Sequence, residues 1–327
     1  PSSAASDVYK RQVDININGS RPCDPQIHNE FFYARALSGG SLALGESYMD
    51  GWWDCQALDQ FSDKLLSGRI DKQVKVKNPA FFSQVIKAYI FNAQTKKRAY
   101  IVGKEHYDIG NDLFSLMLDE RMNYSCGYWR NANSLEQAQI NKLDLVCRKL
   151  HLEPGMSVLE IGCGWGGFAK FAAEKYGVTV HGVTVSKEQM NFAKKSCEGL
   201  KTSFELKDYR DLDAKYDAIV SIGMFEHVGY KNYNTFMNVA NRCLRDDGLF
   251  LLHTIGRNTP GFTTDPWTNK YIFPNGMTPS SSQISEALQG FFVVEDWHNF
   301  GQDYDTTLML SLIHISEPTR QEAIAYA

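Results

Sequence analysis

The chain has 327 residues, 43% of them hydrophobic and 22% charged, enough to bury a sizeable core in two domains or in one large domain with an appendage. A net charge of −4 at pH 7 argues against a nucleic-acid protein held by a general basic field. Its seven cysteines form no CxxC pair, which argues against a disulfide framework or a cysteine zinc site and fits a reducing cytoplasm.

No apolar run reaches the roughly 18 residues that span a bilayer, and no signal peptide is visible. The two ends, PSSAASDVYKRQ at 1–12 and LSLIHISEPTRQEAIAYA at 310–327, resemble translated sequencing-adapter sequence. They are expected to be non-native tails on a protein that extends beyond both ends. Residues 13–68 read as a small, mostly helical N-terminal domain, in which Leu58, Phe61, Leu65 and Leu66 recur at helical spacing behind Asp54 as an N-cap. Residues 69–95 read as a polar, basic linker followed by helix, with the cationic cluster Lys96, Lys97 and Arg98 after it. From 96 to 309 the chain reads as a catalytic domain. After Ser134, helices alternate with apolar strands at Val158–Ile161, Val178–Val183, Ser203–Leu206, Ala218–Ile222, Leu249–His253 and Phe292–Trp297. Helical stretches at 166–176 and 187–198 lie between them. That alternation predicts an α/β fold with a mainly parallel sheet covered by helices on both faces. Ligands of such sheets sit outside the carboxyl ends of the strands, at the topological switch point.

VLEIGCGWGGFAKFAA places Gly162, Gly164 and Gly167 in a GxGxxG turn between strand and helix. That turn alone would suit NAD or FAD. A nicotinamide site asks for an acid at the end of the next strand, whereas GVTVSKEQ offers Thr184 and Ser186. With Glu160 ahead of it, the loop resembles the S-adenosylmethionine loop of class I, Rossmann-like methyltransferases. In that family the segment KDYRDL would meet adenine, Asp208 accepting from the exocyclic amine and Tyr209 lying against the ring.

Three further stretches narrow the family: HYDIGNDLFSLMLDERMNYSCGYW at 106–129, FEHVG at 225–229, and LLHTIG with DPWTNKYIFPNG and EDWHNFGQDYDTTLM between 251 and 309. In this order they resemble the bacterial cyclopropane-fatty-acyl-phospholipid synthase family from about Val13 to Met309. The resemblance implies transfer of a methylene from S-adenosylmethionine to the cis double bond of an unsaturated phospholipid acyl chain. A carbocation would form in a dry cavity, where the faces of Tyr107, Tyr124, Tyr128, Trp129 and Phe225 could stabilise it. The implied base is bound bicarbonate, held by Cys126, Glu226, His253, the backbone of Ile255, and Tyr304, with Glu226 taking the bicarbonate proton. The implied cofactor site is Tyr107, Tyr124, Ser125, Gly162, Gly164, Thr184, Gln189, Asp208 and Tyr209. Adjacent Glu226 and His227 lack metal-ligand spacing, and no metal is expected.

The resemblance also implies peripheral contact with the inner face of the membrane, with Trp52, Trp53 and Phe61 as a docking surface and Lys96, Lys97 and Arg98 meeting anionic headgroups. A homodimer is admissible; nucleic acid is not expected. The last sheet elements of the family are expected to be missing. Two alternatives stay open: a related S-adenosylmethionine methyltransferase acting on another lipid or a small molecule, and an inactive fragment that only binds lipid.

Overall fold

The computed structural model describes residues 14–68, 94–96 and 111–316, with side chains to Leu312. They fall into two compact units: 14–68 joined by 263–274, and 94–96 with 111–262 and 275–316.

In the first unit, β1 (Gln26–Ile27) pairs antiparallel with β2 (Trp53–Asp54) beside α1 (Phe32–Met49) and α2 (Leu58–Ser67). Its core is Ile15, Phe32, Trp53, Cys55 and Phe61. A short helix at Pro266–Tyr271 completes the unit, with Lys270 Nζ and Tyr271 Oη donating to Glu46 Oε1 at 2.6 and 2.9 Å. Two sequence expectations change here. Asp54 is not the cap of α2: it lies in β2, hydrogen-bonded to His28, and the helix starts after Ala57. Trp53 and Phe61 are buried at 3% and 6% exposure, and Trp52 is half-covered with the Arg35 guanidinium 4.5 Å above its ring. Those aromatics hold this small unit together instead of presenting a docking surface.

The second unit is built on five parallel strands in the order β5-β4-β3-β6-β7. They are β3 (Ser157–Ile161), β4 (Thr179–Thr184), β5 (Thr202–Leu206), β6 (Tyr216–Ile222) and β7 (Leu244–His253). β3 and β6 are buried along most of their length because parallel strands are covered on both faces. Neighbouring residues serve opposite faces: Val158, Val180, Ala218 and Val220 pack on one side, Leu159, Ile161, Val183 and Ile219 on the other.

The helices are α3 (Asn111–Met117), α4 (Leu135–Lys149), α5 (Gly167–Tyr176), α6 (Lys187–Ser196), α7 (Tyr233–Cys243), α8 (Ser281–Leu288) and α9 (Asp303–Ser316). Ser134 caps α4 and Ser186 caps α6, each side chain accepting a backbone N–H, and Ser280 and Gln283 form a capping box on α8. α7 buries Tyr233, Phe236, Met237, Ala240 and Cys243, a stripe at helical spacing.

Strand order reverses between β3 and β6, so the switch point opens at their carboxyl ends. The expected strand at Phe292–Trp297 does not form. Phe292 packs on Phe250 at 5.3 Å, but Val293 is 84% exposed and no strand pairing is made among the described residues. Its hydrophobicity serves to anchor one ring, not to build a ladder. The linker and helix expected over 69–95, and Lys97 and Arg98, lie largely or wholly outside the described residues, while Lys96 is ion-paired with Asp211. No described helix is long and apolar enough to cross a membrane.

Phe236 is 0% exposed between Phe225, Tyr209 and Phe250. Phe236→Ala is expected to cost about 3–5 kcal/mol through the cavity it leaves, read as a lower urea midpoint at unchanged slope.

Candidate active site at the strand ends

β3 ends in the glycine loop, whose first turns have backbone that side chains avoid: φ is +84° at Gly162, +51° at Gly164 and +86° at Gly166. Gly162 and Cys163 N–H both donate to Val183 O, at 2.9 and 3.0 Å, binding the loop to β4. A Cβ on Gly162 would meet Met224 Cγ at 2.5 Å, whereas one on Gly164 would meet nothing within 4 Å. Gly162 is needed for close packing, and Gly164 leaves its side of the loop open to a ligand. Trp165, the bulky residue within the motif, is buried at 3%, donates Nε1 to Asn111 Oδ1 at 2.8 Å and packs on Phe114 at 4.9 Å.

At the end of β4, Thr184 Oγ1 donates to Gln189 Oε1 at 2.9 Å and accepts from Ser186 N at 3.2 Å. Both side chains are buried, so the start of α6 brings Gln189 to the strand end. Asp208, after β5, has both oxygens in a fork with Arg210, Nε and Nη2 each at 2.7 Å. Any further acceptance there must use the remaining lone pairs. Tyr209 does not join the group. Its ring lies in the apolar core against Phe236 at 5.2 Å, and burial lifts its phenol to about 12. Phe225 is likewise a core residue, 0% exposed and stacked on Tyr233 at 4.2 Å, not a ring facing a cavity. Tyr107 lies outside the described residues.

The second half of the site is at β6 and β7. Ile222 is registered with His253, and Gly223 N–H continues the ladder to His253 O at 3.0 Å. The chain then turns through a 3-10 helix, Phe225–His227, that points Glu226 back toward β7, where Glu226 Oε1 accepts from Ile255 N–H at 2.7 Å. Glu226 Oε2 and His253 Nδ1 are buried and have no hydrogen-bond partner among the described residues. Two such orphans on neighbouring strand ends mark a place built for something polar. Tyr304, on α9, and Cys126 come to the same region, for the charge of Glu226 and the Cys126 thiol both bear on the Tyr304 phenol. Cys126 Sγ lies 4.0 Å from Phe300 O, and the Phe300 ring stacks on His253 at 5.4 Å.

Burial drives these groups toward neutrality. It raises Glu226 above the ordinary carboxylate range, against the Ile255 N–H that holds it down. It lifts Cys126 to about 11, with Asp303 adding to it, and pushes the Tyr304 phenol well up. His253 is pushed down to about 3 by burial and then by the Lys142 charge. The result is a neutral imidazole, thiol and phenol around one carboxyl. No cluster of three or more His, Cys, Asp or Glu among the described residues could hold a metal.

The family model for mycolic acid cyclopropane synthetase matches residues 94–325. The cyclopropane-fatty-acyl-phospholipid synthase of Escherichia coli (strain K12) is 56% identical over 308 residues, covering 93% of this chain and 79% of that one. The chain belongs to the cyclopropane synthase family. It is an enzyme of the S-adenosylmethionine-dependent methyltransferase type, with the class I fold. Cyclopropane mycolic acid synthase 1 of Mycobacterium tuberculosis (strain ATCC 25618 / H37Rv) is 40% identical over 58% of this chain and 72% of its own. The structure of the cyclopropane synthase MmaA2 from Mycobacterium tuberculosis superposes with a TM-score of 0.63 at 34% identity, over 69% of this chain and 86% of that one. Mycolic acid cyclopropane synthase CmaA1, complexed with SAH and CTAB, has the same TM-score at 35% identity.

Cofactor residues fit this class of enzyme. The open backbone at Gly164, the start of α5 behind it and the buried Thr184–Gln189 pair leave polar groups at the strand ends where an S-adenosyl nucleoside belongs. Sequence reading missed two side chains that bear on the site. Lys142 and Gln139, both on α4, are 1% exposed and reach Ser125, with Lys142 Nζ 2.7 Å from its Oγ. Their signal was available: both fall on the buried stripe of an otherwise apolar helix face.

A carboxyl raised by folding stabilises the fold only below its unfolded pKa, and burying its charge costs stability as pH rises through the folded value. Glu226→Gln is therefore expected to raise the melting temperature at neutral pH by a few degrees, about 1–2 kcal/mol. The gain should vanish below about pH 4.5, Glu226's ordinary value, in calorimetric scans across pH. An NMR titration should find the His253 ring neutral throughout the neutral pH range.

Proposed function

We propose that this enzyme forms cyclopropane rings at the cis double bonds of unsaturated phospholipid acyl chains, with a bicarbonate ion held at the ends of β6 and β7. The observation that carries the reading is the pair of buried atoms Glu226 Oε2 and His253 Nδ1, without hydrogen-bond partners among the described residues and set at the ends of adjacent strands.

Bound S-adenosylmethionine supplies an electrophilic methyl group, and bicarbonate a base small enough to sit where no side chain reaches. Tyr124, Ser125, Gly162, Gly164, Thr184, Gln189 and Asp208 are the residues that would hold the first. For the second, the neutral Tyr304 phenol, Cys126 thiol and His253 ring offer donors to an anion. Glu226, with one oxygen already held by Ile255 N–H, keeps Oε2 to accept the proton that bicarbonate carries. By accepting that proton, Glu226 would make the other oxygens of a bound bicarbonate more basic. Ile255 thus acts by orienting Glu226 in this arrangement, a different use of its N–H from direct anion binding.

The same burial that neutralises these groups keeps water from an electron-poor acyl carbon, which would otherwise be hydrated. Tyr128 and Trp129 flank the site from the loop before α4. Tyr128 packs edge-on against His298 and Phe300 at 5.6 and 5.5 Å, and Trp129 Nε1 donates to Thr307 Oγ1 at 2.9 Å. Because the substrate lies in a bilayer, we place the encounter at the inner face of the membrane.

The test is transfer of label from methyl-labelled S-adenosylmethionine to vesicles of unsaturated phospholipid, with and without added bicarbonate. Wild type should add one methylene per double bond, as a ring by NMR, and should lose rate when bicarbonate is removed. Glu226→Gln and His253→Ala should each fall by on the order of 10²–10³-fold. A branched methyl product, or a rate indifferent to bicarbonate and to both substitutions, overturns the reading.

A further inference from the structure

The buried face of α4 is Leu135, Ala138, Gln139, Lys142, Leu143, Val146 and Cys147. Five of these seven residues are the apolar filler such a face requires; Gln139 and Lys142 are not. An ammonium at 1% exposure is costly to bury and persists only with partners. Lys142 has a specific one: Nζ donates to Ser125 Oγ at 2.7 Å. One turn earlier, Gln139 Nε2 donates to Ser125 O at 2.8 Å and to Asn123 O at 3.4 Å. The two side chains therefore grip both the hydroxyl and the carbonyl of one residue, next to Tyr124 and Cys126.

A serine hydroxyl has one proton to give. With the lone-pair side of Oγ occupied by a cationic donor, that proton is turned away from Lys142 and is more strongly polarised. We propose that Lys142 is a positioning residue of the cofactor site: it commits the Ser125 hydroxyl to donate to an acceptor oxygen of the cofactor and, with Gln139, holds the Tyr124–Cys126 segment in place. This inference rests on Ser125 lying in the cofactor site and concerns binding rather than ring formation.

Four groups face the ammonium. Asp119 comes from the turn after α3, Cys126 from the loop before α4, Glu160 from β3 and His253 from β7. Burial lowers Lys142 to about 8, against the pull of Asp119, Cys126 and Glu160. It is charged below that pH and neutral above it, so its hold on Ser125 weakens as pH rises through that value.

Calorimetric titration with S-adenosylhomocysteine tests the proposal on wild type, Lys142→Met, Lys142→Gln, Ser125→Ala and the Lys142→Met/Ser125→Ala double variant, with circular dichroism to verify folding. Lys142→Met should bind about tenfold more weakly, and the double variant no more weakly than Ser125→Ala alone, because both changes remove one hydrogen bond. Wild-type affinity should fall above about pH 8, while either Lys142 variant should show no such fall. Lys142→Gln, which keeps a donor, covers the case in which the methionine does not fold, and its affinity should be intermediate. Unchanged affinity in the Lys142 variants, losses that multiply in the double variant, or the wild-type pH profile surviving in Lys142→Gln would overturn the proposal. A wild type that binds S-adenosylhomocysteine but forms no cyclopropane would refute the proposed function and leave this inference standing.

Discussion

Pairing between β6 and β7 does not stop where the strands do. Gly223 N–H donates to His253 O, and two residues further along β7's path Ile255 N–H donates to the Glu226 carboxylate. Through this continuation a turn of the chain leaving β6, GMFEHVG, sets a glutamate against the segment that leaves β7. Everything chemical about the site depends on that registration. Were the ladder to end at Ile222, Glu226 would be a loop carboxylate in water, with an ordinary pKa and no fixed distance from His253. Parallel pairing supplies the rest, since it brings the ends of β3, β4, β6 and β7 to one edge of the sheet.

A second theme is that the site gets its character from dryness more than from charge pairing. Glu160, Glu226, His253, Cys126 and Tyr304 all shift toward their neutral forms, with burial the leading cause in each. Such an interior is destabilising to build, and the protein compensates elsewhere, in the apolar stacks of Phe225, Tyr233 and Phe236 beneath the turn. Phe225 is thereby explained as support for the turn that carries Glu226, not as a ring facing the reaction.

Much of this was legible in the sequence, for identifiable reasons. The central strands could be read because β3 and β6 are buried along most of their length and alternate with helices, and the glycine loop because its φ values tolerate little else. Glu226 and His253 could be placed together because His253 ends one strand and Glu226 lies in the turn just after its neighbour. What failed to read off depended on direction. Phe292–Trp297 has strand composition, but only one of its rings turns to the core. Tyr209 sits beside Asp208 in sequence, yet the 3-10 turn sends its ring inward. Lys142 escaped notice because a charged residue is habitually assigned to solvent, even though its spacing from Leu135, Ala138 and Leu143 placed it inside. The Ile255 N–H was expected to face an anion, and only coordinates could show that Glu226 already accepts it.

Trp165 carries a consequence of a different kind. A glycine loop is ordinarily a flexible element, and a ligand that orders it must supply the conformational entropy lost. Here the indole is pinned within the loop by Asn111 and Phe114, so most of that entropy is surrendered during folding, before any ligand arrives. Cofactor affinity is then set by contacts rather than by ordering. Loosening the indole from its neighbours should therefore appear first as a more unfavourable binding entropy, with the contacts themselves intact.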